Sequence, residues 1–312
     1  MNSKKPNIVV VGSTNTDLVA ITPHIPAAGE TVLGGAFSIV AGGKGANQAV
    51  AAARLGGSVT FIARVGDDAF GSQSVAGFQA DGIDTTYVSV TPGVPSGVAL
   101  IAVSETSGEN SIVVAPGANA LLSPEDIDAA EAAFDTAHAV VLSLEVPLET
   151  IQRAVEMGAE RQIPVILNPA PARALPARLL ASISVLTPNE TEARQIAGMG
   201  SANDDADLET VAAELLGSGI DAAVITLGSA GALIVTPDGI EQAMAFPVKA
   251  VDTVGAGDCF TGALAVELAS GKSLREAVRF ASAAAALKVT RSGAQPGIPT
   301  RGEVTGFLLR ST

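Results

Sequence analysis

The chain has 312 residues, 47% of them hydrophobic and only 16% charged, which suits a large buried core and excludes a disordered chain. Its net charge of −14 excludes a general nucleic-acid binder, because no basic excess is available to neutralise a phosphate backbone; a small phosphate ligand held by amides remains open. The one cysteine, Cys259, excludes an intrachain disulfide and points to a reducing compartment.

The first element, "NIVVVGS", reads as a buried strand ending in a turn. Its apolar run, Ile8 to Val11, is too short for a secretory leader. No span of about 20 apolar residues offers a membrane helix, so a soluble cytoplasmic protein is expected, with no membrane partner. "NQAVAAARLG" reads as a helix begun at Asn47 and stopped by Gly56. "SVTFIARVG" is a strand and "AFGSQSVAGFQADG" a helix ending near Gly82. Further on, "AVVLSLE", "PVILNPA", "SVLTPNE" and "AAVITLG" are apolar runs with polar tails. The helical stretches "PLETIQRAVEMGAERQ", "PARLLAS" and "DLETVAAELLGSG" separate them.

This alternation predicts an α/β fold: a doubly wound, mostly parallel sheet flanked by helices, in one domain spanning 1–312. Ligands of such sheets sit at the carboxyl ends of the strands, which directs attention to Glu145, Asn168, Asn189 and Thr226. Residues 18–40 and 96–115 break the alternation with strand pairs and no helix. They read as a small lid-like antiparallel sheet of about residues 14–40 and 96–115, or else as edge hairpins of the main one.

Several motifs carry chemistry. "AGGKGAN" is not a P-loop, since Gly45 follows Lys44 and position 38 is Ser. Its glycines would still let backbone approach a ligand, with Lys44 near an anion or hydroxyl and Asn47 gripping hydroxyls; a plain turn with a solvated Lys44 fits equally. In "GSTNTD", Asn15 and Asp17 face one side if extended and would hold a polyol, or they form a local Asx-turn. In "TPNETEA", Asn189 and Glu192 could serve a hydrated Mg²⁺ or simply cap a helix. "TLGSAGALIV" reads as strand, glycine turn and strand. With only His24 and His138 present, a histidine zinc site or triad is not expected.

In "DTVGAGDCFTGALAVELASG" a helix is expected from Asp258, with Gly255, Ala256 and Gly257 as its amide-rich entry loop. Free amides at a helix start favour an anion. A carboxylate there could take a proton from an attacking hydroxyl, or Asp258 could merely cap its helix.

"GGKGANQA" early and "DTVGAGD" late resemble the two signature regions of the ribokinase family of carbohydrate kinases, the PfkB superfamily. "NPAPAR", "TPNETEA", "TLGSAG" and "VTRSGAQPG" extend the likeness to about residue 300. The resemblance implies ATP-dependent phosphorylation of D-ribose at the 5-hydroxyl, with Mg²⁺ and an activating K⁺, by a homodimer formed through a β-sheet lid. By matching positions, Asp258 would be the base and Gly255, Ala256 and Gly257 the anion hole. Asn15, Asp17, Gly43, Lys44, Asn47 and Glu145 would hold the sugar. Asn189, Thr226, Gly228, Ser229, Gly231, Gly257 and Ser282 would line the ATP site, with Glu192 helping to position Mg²⁺. Asp252, Val254, Lys288, Arg291, Gly293 and Gly297 would form the K⁺ loop, several through backbone carbonyls. Cys259 is read as buried packing.

Other acceptors on the same fold are deoxyribose, fructose or a nucleoside. Adenosine is disfavoured by the scarcity of aromatic residues for stacking. A silent sugar-binding regulator is a further alternative, against which the complete Asp258 loop argues.

Overall fold

Nine strands build the main sheet, and the first of them lies where its topology changes direction. A computed structural model describes residues 5–200 and 206–311. In chain order the strands are β1 (Asn7–Val11), β2 (Asn15–Thr22), β3 (Phe37–Gly42), β4 (Ser58–Gly66), β5 (Val88–Thr91), β6 (Gly97–Ser104) and β7 (Asn110–Ala115). They continue with β8 (Ala139–Ser143), β9 (Val165–Asn168), β10 (Val185–Leu186), β11 (Ala222–Thr226), β12 (Ala232–Thr236) and β13 (Gly239–Ala243). The main sheet runs β13-β12-β11-β10-β9-β8-β1-β4-β5. Strands β5 through β11 in that row pair in parallel, and β12 and β13 add an antiparallel edge.

The parallel strands are apolar on both faces because helices cover both. Along β1, Ile8 and Val10 enter one core and Val9 and Val11 the other, as a period of two requires. The first core packs under the helices Lys44–Arg54, Ala256–Ala269 and Leu274–Val289. The second packs under Leu148–Glu160 and Leu208–Gly217. Neighbours of β1 are β4 on one side and β8 on the other. The chain thus winds outward in two directions from β1, which opens a crevice at its carboxyl end.

The two helix-free segments meet in a separate four-stranded sheet, ordered β3-β2-β6-β7. It starts at Asn15, inside the expected 14–40, and its β3 reaches Gly42, two residues past that limit. Its two faces differ. Ile39, Leu18, Leu100 and Val113 pair across one face; Val40, Asp17, Ala99 and Val114 pair across the other.

Two helix starts lie earlier than expected. The first begins at Lys44 rather than Asn47, and the late one at Ala256 rather than Asp258. Each is preceded by a glycine with positive φ: Gly43 at 88° and Gly255 at 75°. Such glycines turn the chain into a helix without a capping side chain, so no polar residue marks the boundary. Among the described residues, no helix is long and apolar enough to cross a membrane.

Candidate active site

Asp258 is the third residue of the Ala256–Ala269 helix and its side chain is buried. Its carboxylate does not cap the helix. Asn47 Nδ2 donates to Oδ2 at 2.9 Å, and Gln48 Nε2 donates to Oδ1 at 3.2 Å. Both donors come from the Lys44–Arg54 helix, which must therefore pack closely. Gly262, one turn beyond Asp258, permits this: a Cβ there would stand 2.7 Å from Gln48 O and 2.8 Å from Ala51 Cβ. Burial raises the Asp258 carboxyl above the usual carboxylate range, against the pull of Lys44 and the Asn47 bond. A raised carboxyl is a better proton acceptor than an ordinary surface aspartate.

Of the three expected amide donors, Ala256 is engaged: its N–H donates to Thr253 O at 3.1 Å. The N–H groups of Gly255, Gly257 and Asp258 have no protein acceptor among the described residues. A Cβ on Gly257 would meet nothing within 4 Å, so the entry to the helix is open. Unpaired amides and the positive helix end beside the carboxylate are the chemistry that favours an anion.

The sugar-side candidates converge from three segments. Asn15 is extended at the start of β2 rather than in an Asx-turn, and its Oδ1 accepts from Asn119 Nδ2 at 2.8 Å. Asp17 lies two residues on, with its carboxylate against the Gly42 backbone; a Cβ on Gly42 would come within 2.3 Å of it. Burial, with Glu145 and Asp258 nearby, raises Asp17 to about 6. Gly43 has no room for a side chain either, since a Cβ would stand 2.6 Å from Asn15 N. Glu145, just past β8, accepts from the Lys44 N–H at 3.0 Å and from the Ser13 hydroxyl. Burial works against the Lys44 ammonium, but Asp258, Glu145 and Glu192 outweigh it and hold its pKa above the ordinary lysine value.

On the other side of the Asp258 helix lies a cavity of about 690 Å³, within the usual range for small-molecule clefts. Thr226, Gly228, Ser229, Gly231, Gly257 and Ser282 all line it, beside Phe246 and Val248. Asn189 is not in that lining but bridges to Thr226 across the strand ends. Asn189 and Glu192 form a capping box: Glu192 N–H donates to Asn189 Oδ1 and Asn189 N–H to Glu192 Oε2, both at 2.8 Å. Burial still raises the Glu192 carboxyl, with Lys44 and Asp258 in electrostatic reach.

The expected cation-loop residues also come together, but in a different arrangement. Asp252 Oδ1 accepts from Val254 N–H at 2.9 Å and Oδ2 from Gly293 N–H at 2.7 Å. Lys288 does not merely offer its backbone. Its side chain is wholly buried, and Nζ donates to Asp252 O at 2.8 Å. Arg291 turns away to pair with Glu303 at 2.7 Å. The residues present do not fit a K⁺ ion as the resemblance implies, because an ammonium already stands on the Asp252 carbonyl.

Three supporting residues escaped the sequence reading. Gln48 sits inside the quoted "GANQA" but looks like any polar helix residue. Asn119 binds Thr14 and Asn15 from more than 100 residues away, which no local pattern reveals. Ser13 lies in a quoted motif, and only the fold brings it to Glu145. Neither histidine takes part; His24 pairs with Glu30 and His138 accepts from the Asn7 N–H. Cys259 is buried and its thiol is pushed up to about 12, so it is packing and not a nucleophile.

A doubly wound sheet, a nucleotide-sized cavity and a buried carboxylate at an open helix start define a phosphotransferase for small molecules. Residues 5–301 match the pfkB family carbohydrate kinase model. A ribokinase of Haemophilus influenzae is 41% identical over 96% of this chain and 98% of its own. A deoxyribokinase of Salmonella typhi is also 41% identical, over 97% and 98%. The structure of Arabidopsis thaliana ribokinase complexed with ribose and ATP superposes with a TM-score of 0.88 at 34% identity, covering 98% of this chain and 99% of that one. The chain belongs to the PfkB family of carbohydrate kinases.

Titration of ¹³C-labelled aspartate by NMR should reveal a carboxylate with a midpoint at about 6 that disappears in Asp17→Asn. If every aspartate titrates near the ordinary value of about 4, the crowding of Asp17 with Glu145 and Asp258 is not as described.

Proposed function

We propose that the protein transfers the γ-phosphoryl group of ATP to the 5-hydroxyl of D-ribose, giving D-ribose 5-phosphate and ADP. The observation that carries this reading is the buried Asp258 carboxylate, held by Asn47 and Gln48 beside unpaired helix amides. Asp258 accepts the hydroxyl proton as that oxygen attacks phosphorus. The amides of Gly255, Gly257 and Asp258 stabilise charge on the transferred phosphoryl, and Lys44 adds a cation to the same region.

Asn15, Asp17, Gly43, Lys44, Asn47 and Glu145 hold the sugar in this reading. Asn47 supports it particularly: its Oδ1 is buried with no hydrogen-bond partner among the described residues, and a sugar hydroxyl would supply the missing donor. ATP occupies the cavity at Thr226, Gly228, Ser229, Gly231, Gly257 and Ser282, with Asn189 at its edge. Mg²⁺ suits this site because it takes few protein ligands and keeps its waters, and the raised carboxyl of Glu192 is the side chain that would orient it. When bound, Mg²⁺ neutralises charge on the phosphates. K⁺ is left out of the mechanism on the Lys288 geometry.

The four-stranded sheet is proposed as a lid, since Asp17 lies on one of its faces. The opposite face is proposed as a homodimer contact. It carries the paired row Ile39, Leu18, Leu100 and Val113, and Val113 is 62% exposed. A bare apolar row of this kind wants a partner, and a second copy offers a self-complementary one. A cytoplasmic location is proposed on the single buried thiol.

The deoxyribokinase of Salmonella typhi supports deoxyribose as a second acceptor. An ADP-release assay across ribose, deoxyribose, fructose and adenosine separates these readings. Preference for ribose is expected; a higher kcat/KM for any other sugar replaces it as substrate.

Asp258→Asn should leave sugar affinity nearly intact and lower kcat roughly 10²–10⁴-fold, the range for a lost general base. Full kcat in that variant removes Asp258 from the role. Light scattering should show a dimer for the native chain and a monomer for Leu100→Asp. A native monomer at micromolar concentration contradicts the proposed contact.

A further inference from the structure

We infer that the Lys288 ammonium is the resident monovalent cation of this kinase, so that the loop beneath the anion hole is ordered without K⁺. This rests on the kinase reading of the site.

Two loops meet there. Residues 251–255 lead into the Ala256–Ala269 helix, and residues 289–297 follow the Leu274–Val289 helix. Backbone bonds join them: Val251 and Asp252 N–H both donate to Val289 O, at 2.7 and 3.1 Å. The Asp252 carboxylate fastens both loops by accepting from Val254 and Gly293 N–H. The Asp252 carbonyl and carboxylate would then be left as inward negative ends with no cation. Lys288 Nζ meets them both, 2.8 Å from Asp252 O and 3.8 Å from Oδ1.

The lysine is built in rather than folded over from solvent. Its side chain is 0% exposed. Gly297 leaves room for it, since a Cβ there would come within 3.2 Å of Lys288 Cε. A free monovalent ion on the Asp252 oxygens would have to sit against this ammonium, like charge on like charge. A cation tethered to the chain needs no binding equilibrium; burial lowers the Lys288 pKa below the ordinary lysine value, and the Asp252 carboxylate pulls it back towards the charged form.

The link to catalysis runs through the turn after Asp252. Thr253 O accepts the Ala256 N–H, and Gly255 turns the chain into the helix. The same turn therefore orders the amides of Gly255 and Gly257. Lys288 also lies within electrostatic reach of Asp258 and Cys259. It acts as a positioning residue, through the loop, and touches neither substrate.

The test measures native protein, Lys288→Ala and Lys288→Met in tetramethylammonium buffer, then with added K⁺ or NH₄⁺. Both turnover and melting temperature are read. Native turnover should change by less than about twofold with K⁺, and its melting point should not respond to K⁺ more than to tetramethylammonium. Lys288→Ala should lose about tenfold or more in kcat without small cations, then recover saturably with K⁺ or NH₄⁺ as its melting point rises. Lys288→Met, whose side chain fills the space, should not be rescued.

Saturable activation of the native protein by K⁺, with a rise in melting point, overturns the inference. So does full activity of Lys288→Ala in tetramethylammonium. If the variants do not fold, the native response to K⁺ decides alone. If the native protein phosphorylates no sugar in any salt, the kinase reading fails, and the melting response to K⁺ still decides the cation question.

Discussion

Asp258 keeps a carboxylate out of water, and among the described residues two side-chain amides donate to it directly. Asn47 and Gln48 each donate to one of its oxygens from a neighbouring helix. Hydrogen bonds to a charged group of this kind contribute about 1.5–3 kcal/mol, well short of the cost of burying an unpaired charge. Lys44 offsets part of the rest, and burial outweighs them all. This balance leaves the carboxyl raised yet fixed in direction, which is what a proton acceptor in a dry site requires. It also dictates packing. Gly262 and the alanines of the Lys44–Arg54 helix exist in a contact where one methyl too many would part the two helices.

The topology places the two halves of the site on either side of that carboxylate. The first strand lies where the sheet reverses its direction of winding, so its carboxyl end faces a crevice. From there the chain goes straight into the small sheet that bears Asn15 and Asp17. The Gly42–Gly43 turn returns it to the Lys44–Arg54 helix, with backbone too close to Asp17 and Asn15 to carry side chains. The cavity is walled by the turn after β11, the segment 245–250 after β13 and the helices Ala256–Ala269 and Leu274–Val289. Gln295 Nε2 reaches Gly42 O at 3.4 Å, so the loop stitched by Asp252 and Lys288 also touches the sugar-side turn. Contacts therefore run from the Asp252–Lys288 loop to the Gly42–Gly43 turn beside Asn15 and Asp17.

Much of this was legible in the sequence, for physical reasons. Runs such as "NIVVV" and "AVVLS" are β-branched and uniformly apolar, so burial on both faces follows from composition. The two segments without helix patterning did form their own sheet. Helix starts were misplaced by two or three residues because a glycine with positive φ opens each helix and leaves no capping side chain as a signal. Asn189 with Glu192 is a helix cap whatever else it does, as local chemistry alone allowed. Gln48 was missed because an amide on a helix face reads as ordinary polarity until a distant carboxylate is placed opposite. Lys288 was expected in the cation loop, but sequence does not say which way a side chain points. Its ammonium turned inward, and that single direction changes what the loop can bind.

The role of Asp258 is decided most directly by a crystal structure with D-ribose and a non-hydrolysable ATP analogue. The primary hydroxyl of the sugar should lie within hydrogen-bond distance of the Asp258 carboxylate, with the terminal phosphate on the Gly255, Gly257 and Asp258 amides. A sugar whose primary hydroxyl rests on Asp17 or Glu145, with the phosphate away from those amides, contradicts it.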